Sequence, residues 1–132
     1  MISLETIGYY SEEPGSQRYP SPFHWFLPDR GNFIAMVSNF RSVALLARAA
    51  WAFRSGTTLR LIASPAPERM PGVGWSDHWS FWQLGYPALM VTDTAPYRYP
   101  HYHSRADTPD KLDYERMARV VAGVAAVLDA LM

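Results

Sequence analysis

The chain has 132 residues, 48% of them apolar, which suits one globular domain with a real core, so 1–132 is read as a single domain. Lys plus Arg and Asp plus Glu each number 12, a formal net charge of zero. The balance disfavours nucleic acid and anionic membrane as partners, since both select a basic face, and it leaves self-association unopposed by charge. Cysteine is absent, which excludes disulfide scaffolds, thiolate zinc sites and cysteine nucleophiles.

"MISLETIGYY" lacks a basic region followed by an apolar run, so no signal peptide is visible; if Met1 is the native start, a cytoplasmic location is expected. No stretch reaches the ~18 consecutive apolar residues of a membrane helix. Residues 2–9, "ISLETIGY", read as a short strand carrying Glu5 in apolar surroundings. Residues 11–31 hold four prolines and two glycines and read as a long irregular loop, a feature often tied to function. "NFIAMVS", 32–38, is a buried-type strand. "SVALLARAAWAFRSG", 42–56, is an alanine-rich helix with Gly56 at its C′ position. "TTLRLIAS", 57–64, is the next strand, and strand–helix–strand at this spacing predicts a parallel βαβ unit. A second proline-rich loop covers 64–74. "SDHWSFWQLG", 76–85, is a short helix that Ser76 caps and Gly85 ends. "PALMVTDT", 87–94, is a strand. The last helix covers 113–131 with Asp113 as N-cap; Met117, Val120, Val121, Val124, Val127, Leu128 and Leu131 follow helical spacing. The order β–β–α–β–α–β–α predicts an α/β fold with a mixed sheet flanked by helices.

Polar side chains with chemical potential gather in few places. In an extended stretch His101 and His103 would face the same way, and an H-x-H pair can hold a metal through neutral imidazoles or be two hydrogen-bonded surface histidines. Ser76 and Asp77 suit a helix start, with His78 an ordinary half-buried histidine. Gly74-Trp75-Ser76-Asp77-His78 does not make the G-x-S-x-G elbow of a serine hydrolase. Glu5 says more: a carboxylate in an apolar strand is costly unless it is paired or metal-bound. The aromatic residues, 14% of the chain, cluster at 9–26, 75–86 and 97–102. They fit a ligand surface or a core cover equally well; Phe23, His24, Trp25 and Phe26 are read as a cover packed on the sheet.

Together, "SLETIGYY", "SDHWSFWQLGYPALMV" and "YHSRADTPDKLD" resemble three ordered motifs of the co-catalytic zinc exopeptidases, the aminopeptidase family that includes glutamate carboxypeptidase and glutaminyl cyclase relatives. The resemblance covers nearly the whole chain but only the C-terminal part of that family. It implies a three-layer α/β/α half-domain with a mixed four-stranded sheet. It implies Glu5 as acidic ligand of one zinc, His103 as final ligand of the other, and Tyr102 as a hydrogen-bond donor to the oxyanion. Asp107 becomes a neighbouring acceptor or loop staple, while Asp77 and His78 shape the site. Glu5 stands where Asp is more usual. The family's first His, bridging Asp and Glu-Glu pair have no counterpart here; Glu12-Glu13 follows the first strand instead of preceding it. The isolated chain is therefore expected to be a poor peptidase. In the family sheet the strand matching 2–9 faces the missing half, so 2–9 should become an edge. A homodimer or higher oligomer through that edge, or a separate N-terminal peptidase half, is the expected partner. The alternative is a non-catalytic binding or assembly module.

Overall fold

A computed structural model describes residues 1–21 and 23–132. Four strands form one sheet: β1 (Ile2–Glu5), β2 (Ile34–Ser38), β3 (Leu61–Pro65) and β4 (Leu89–Thr92). Their spatial order is β1-β4-β2-β3, with β1 parallel to β4, β2 parallel to β3, and β4 antiparallel to β2. The sheet is therefore mixed. The parallel β2–β3 pair is bridged by helix α1 (Val43–Gly56), the expected strand–helix–strand unit. Helix α2 covers His78–Gln83, α3 is one turn at Ala95–Arg98 that sequence spacing did not predict, and α4 covers Tyr114–Leu131. None of these helices is long and apolar enough to cross a membrane.

Strand alternation gives the sheet two different faces. Ile34, Met36, Leu61, Leu89 and Val91 point to one side and join Leu46, Ala49, Ala50, Phe53, Val120 and Val127 in the main core. Helices α1 and α4 cover this face and cross closely. A Cβ on Gly56 would sit 2.6 Å from that of Ala126, and one on Gly123 would sit 2.3 Å from the Phe53 ring. Gly56 is thus the last residue of α1, held small by the crossing, and not the C′ glycine expected from sequence. The other face carries two rows read across the register: Glu5–Thr92–Ala35–Ile62 and Ser3–Met90–Val37–Ser64. Loops and the short helices cover it.

The helix ends follow the expected local chemistry in part. The Asp113 carboxylate accepts the Arg116 amide at 2.9 Å, capping α4 as expected. Gly85, at φ +79°, closes α2; the amides of Gly85 and Tyr86 donate to the Trp82 and Phe81 carbonyls, the Schellman pattern. Ser76 does not cap α2. The residue at the cap is Asp77, without a side-chain bond, and the Ser76 hydroxyl instead meets that of Ser3 at 2.7 Å.

Strand β1 is shorter than the predicted 2–9 and lies at the sheet edge, as expected. Helix α4 exposes an apolar seam at four-three spacing: Tyr114, Ala118, Val121, Ala125 and Leu128. Leu4, on the edge strand, is 51% exposed.

Candidate metal-ligand and substrate site

The C-terminal end of β1 places Glu5 at the mouth of a cavity of about 170 Å³. The cavity lies between the second sheet face and the loops that cover it. Tyr102, ninety-seven positions away in the chain, lines the same cavity, and its ring stacks on His103 at 3.9 Å between centroids. Glu5 and Tyr102 therefore line one cavity, while His103 is exposed and lies outside that lining, stacked on Tyr102. Glu5 is half-buried. The ion pairs among the described residues involve Glu12, Asp110, Asp113 and Glu115 and leave Glu5 out. The strand is an edge, so this carboxylate reaches water and does not need a basic partner inside the core.

Three non-glycine residues among those described have positive φ: Thr6 at 50°, Thr94 at 64° and His103 at 53°. Left-handed backbone costs such residues about 1–3 kcal/mol each and persists where the surroundings enforce it, commonly at functional sites. All three sit here. Thr6 follows Glu5 and lines the cavity, as does Thr94; His103 adjoins Tyr102.

Asp93 enforces the turn after Glu5. One of its carboxylate oxygens accepts the amides of Gly8 and Tyr9 at 2.9 and 2.8 Å, and its own amide donates to the Thr6 carbonyl at 2.8 Å. Burial pushes the Asp93 carboxyl above its ordinary value, opposed chiefly by the Tyr9 amide. Arg98, also buried, pins the long loop: Nε donates to Gln17 at 2.7 Å, and Nη1 to the Phe33 and Tyr9 carbonyls at 2.9 and 3.2 Å. Its guanidinium lies 4.5 Å from the centre of the Phe33 ring. Neither Asp93 nor Arg98 stood out in the sequence. The only signal was a polar "TDT" at the end of an apolar strand.

The remaining candidates hold loops. His78 is fully buried, with Nε2 2.6 Å from the Val73 carbonyl, so Nε2 carries the proton; burial pushes its pKa down and keeps it neutral. It ties α2 to the 66–75 loop that walls the cavity. Asp77 is exposed at the start of α2. Asp107 is exposed and accepts the Tyr99 hydroxyl at 2.8 Å, stapling its own loop. His101 and His103 do not face the same way. Residues 100–103 turn instead of extending, and His101 packs edge-on to Tyr99 at 5.6 Å. The aromatic cover is only partly as expected: Phe23 lines the cavity, but Trp25 and Phe26 are 76% and 79% exposed.

Glu5 and His103 have zinc-compatible chemistry, but among the described residues no group of three or more His, Asp or Glu side chains gathers. Zinc sites use at least three protein ligands, more than Glu5 and His103 supply.

The mixed four-stranded α/β sheet is compatible with a half-domain of a peptidase fold. The model of peptidase family M28 matches residues 29–128, and the chain belongs to that family. It is 45% identical over 129 residues to YfbL of Escherichia coli strain K12, an uncharacterized protein. That match takes in 97% of this chain and 40% of the relative, so the chain spans well under half the length of the curated protein it matches. No solved structure matches it.

Proposed function

We propose that residues 1–132 supply the C-terminal share of a di-zinc peptidase centre. In this reading Glu5 holds one zinc, His103 holds the other, and Tyr102 donates to the oxyanion formed at the scissile carbonyl. The remaining ligands and the general base come from an adjoining N-terminal peptidase portion, in the same longer polypeptide or as a separate chain. A zinc pair supplies Lewis-acid polarisation of the carbonyl. What this chain contributes is positioning: Asp93 orders the turn behind Glu5, and the stacked Tyr102 and His103 rings hold each other. The observation that carries the reading is that Glu5 and Tyr102 line one cavity, with the His103 ring stacked on Tyr102. The three strained residues clustered there and the family match support it.

Alone, the chain is expected to bind zinc weakly and to hydrolyse aminoacyl substrates poorly. The direct experiment mixes purified 1–132 with the N-terminal portion of the E. coli relative and follows zinc content and aminopeptidase activity. Activity that appears only in the mixture, and is lost in Glu5→Gln and His103→Ala, is the expected result. Zinc-dependent hydrolysis by 1–132 alone would overturn the shared-site reading. A mixture that stays inactive and zinc-free would favour a second reading, a non-catalytic binding module, to which the apolar cavity and the two-donor set also point.

A further inference from the structure

The cavity beside Glu5 has a composition that selects its occupant. Its floor is the apolar part of the two sheet rows, Ala35, Val37 and Met90, and its walls include Met70 and Val73 from one loop and Phe23 from the other. Among the described residues Glu5 is the only charged one in the lining, and it lies next to Thr92 in the sheet register. An apolar cavity of ~150 Å³ takes benzene, and this one, at about 170 Å³, is of that size. A carboxylate entering it would leave water with no cation to meet and a carboxylate already present, a cost of several kcal/mol. An aliphatic or aromatic side chain would lose only water.

We infer that this cavity receives an apolar side chain of the substrate, of leucine to phenylalanine size, and rejects acidic side chains. The inference rests on the peptidase reading for the word substrate, but the selectivity belongs to the cavity alone. It separates this chain's specificity from that of a glutamate-directed peptidase. It also gives the 64–74 loop a role, since Met70 and Val73 would contact the ligand and His78, bonded to the Val73 carbonyl, holds that loop in place.

The test uses 1–132 labelled with ¹³C at its methionine methyl groups. L-Leucinamide, L-phenylalaninamide and L-glutamic acid α-amide are titrated while the Met70 and Met90 signals are followed. Saturable shifts of both signals with the leucine and phenylalanine amides, and none with the glutamate amide, are expected. Met70→Trp, which fills the cavity from a loop, should weaken binding at least tenfold while the far-ultraviolet circular dichroism stays unchanged. A second variant, Met70→Ala, leaves the cavity open and should retain binding of the phenylalanine amide. No saturable shift with either apolar amide, equal binding of the glutamate amide, or unweakened binding by a folded Met70→Trp protein would each overturn the inference. Failure of the two readings is distinguishable. Selective amide binding without activity in the reconstituted mixture leaves the cavity assignment standing and removes the peptidase. An active mixture that prefers glutamyl over leucyl substrates does the reverse, because burying an unpaired charge should cost about 100-fold or more in kcat/KM.

Discussion

Replacing Gly123 by alanine sets local propensity against tertiary packing, with opposite signs. Alanine is favoured over glycine in a helix interior by ~1 kcal/mol, and Gly123 lies within α4, so propensity alone says that Gly123→Ala stabilises. The crossing with α1 says otherwise. The added Cβ would lie 2.3, 2.5 and 2.8 Å from three atoms of the Phe53 ring. Reaching even a tight 3.4 Å requires the ring to retreat by 1.1 Å (3.4 minus 2.3). Phe53 is wholly buried in the main core and has no empty side to move into. Overpacking of this kind costs about 1–3 kcal/mol, and with several ring atoms in conflict the upper part of that range applies. The net loss is about 1–2 kcal/mol. With an unfolding entropy of about 2.1 cal/mol/K per residue, this lowers Tm by roughly 4–7 °C. Urea unfolding followed by circular dichroism measures the loss directly. Combining Gly123→Ala with Phe53→Leu gives a cycle: the smaller side chain relieves the clash, so the two changes together should cost less than their sum, by about 0.5–3 kcal/mol. A Gly123→Ala protein more stable than the parent, or additive effects in the cycle, would refute the close crossing.

Two further outcomes follow from the edge strand and the buried carboxylate. Strand β1 ends the sheet and Leu4 on it is exposed, so isolated 1–132 should associate with a second copy through β1. Light scattering at micromolar concentration should give a dimer or larger species, and Leu4→Lys should shift it to monomer; a monomeric parent chain would count against this. The Asp93 carboxyl is raised by burial above its ordinary 3.8, so the folded chain binds that proton more tightly than the unfolded one. Stability from this group is therefore highest below 3.8 and falls as pH rises through the folded pKa. Asp93→Asn keeps an oxygen acceptor for Gly8 and Tyr9 and removes the titration, so its stability should fall less across that window. Identical slopes for the two proteins in urea unfolding against pH would refute the assignment.

The apolar runs in "NFIAMVS" and "PALMVTDT", the alanine-rich run ending at Gly56, and the helical spacing after Asp113 were legible because strands buried on both faces read as short unbroken apolar runs and a half-buried helix repeats every 3.6 residues. Glu5 stood out as a carboxylate in an apolar strand, while Tyr102 and the choice of His103 over His101 came through the family resemblance. His101 and His103 show why spacing failed: their shared direction assumed an extended backbone, and the chain turns there. Ser76 failed as a cap for a similar reason, because a serine across the fold on β1 was the better partner for its hydroxyl. Asp93 and Arg98 gave no usable signal, since a single buried charge carries no period and its partners lie more than sixty residues away.

By itself the sequence determined the mixed α/β class, the order of the main elements and a zero net charge. These depend on local periodicity, turn chemistry and composition, which act over a few residues or over the whole chain at once. Tertiary structure alone decided that Gly56 and Gly123 serve a helix crossing. It likewise decided that alternate residues of three strands floor a cavity and that Glu5 and Tyr102 both line it. Those facts depend on which distant surfaces come into contact, and that follows from strand order and register.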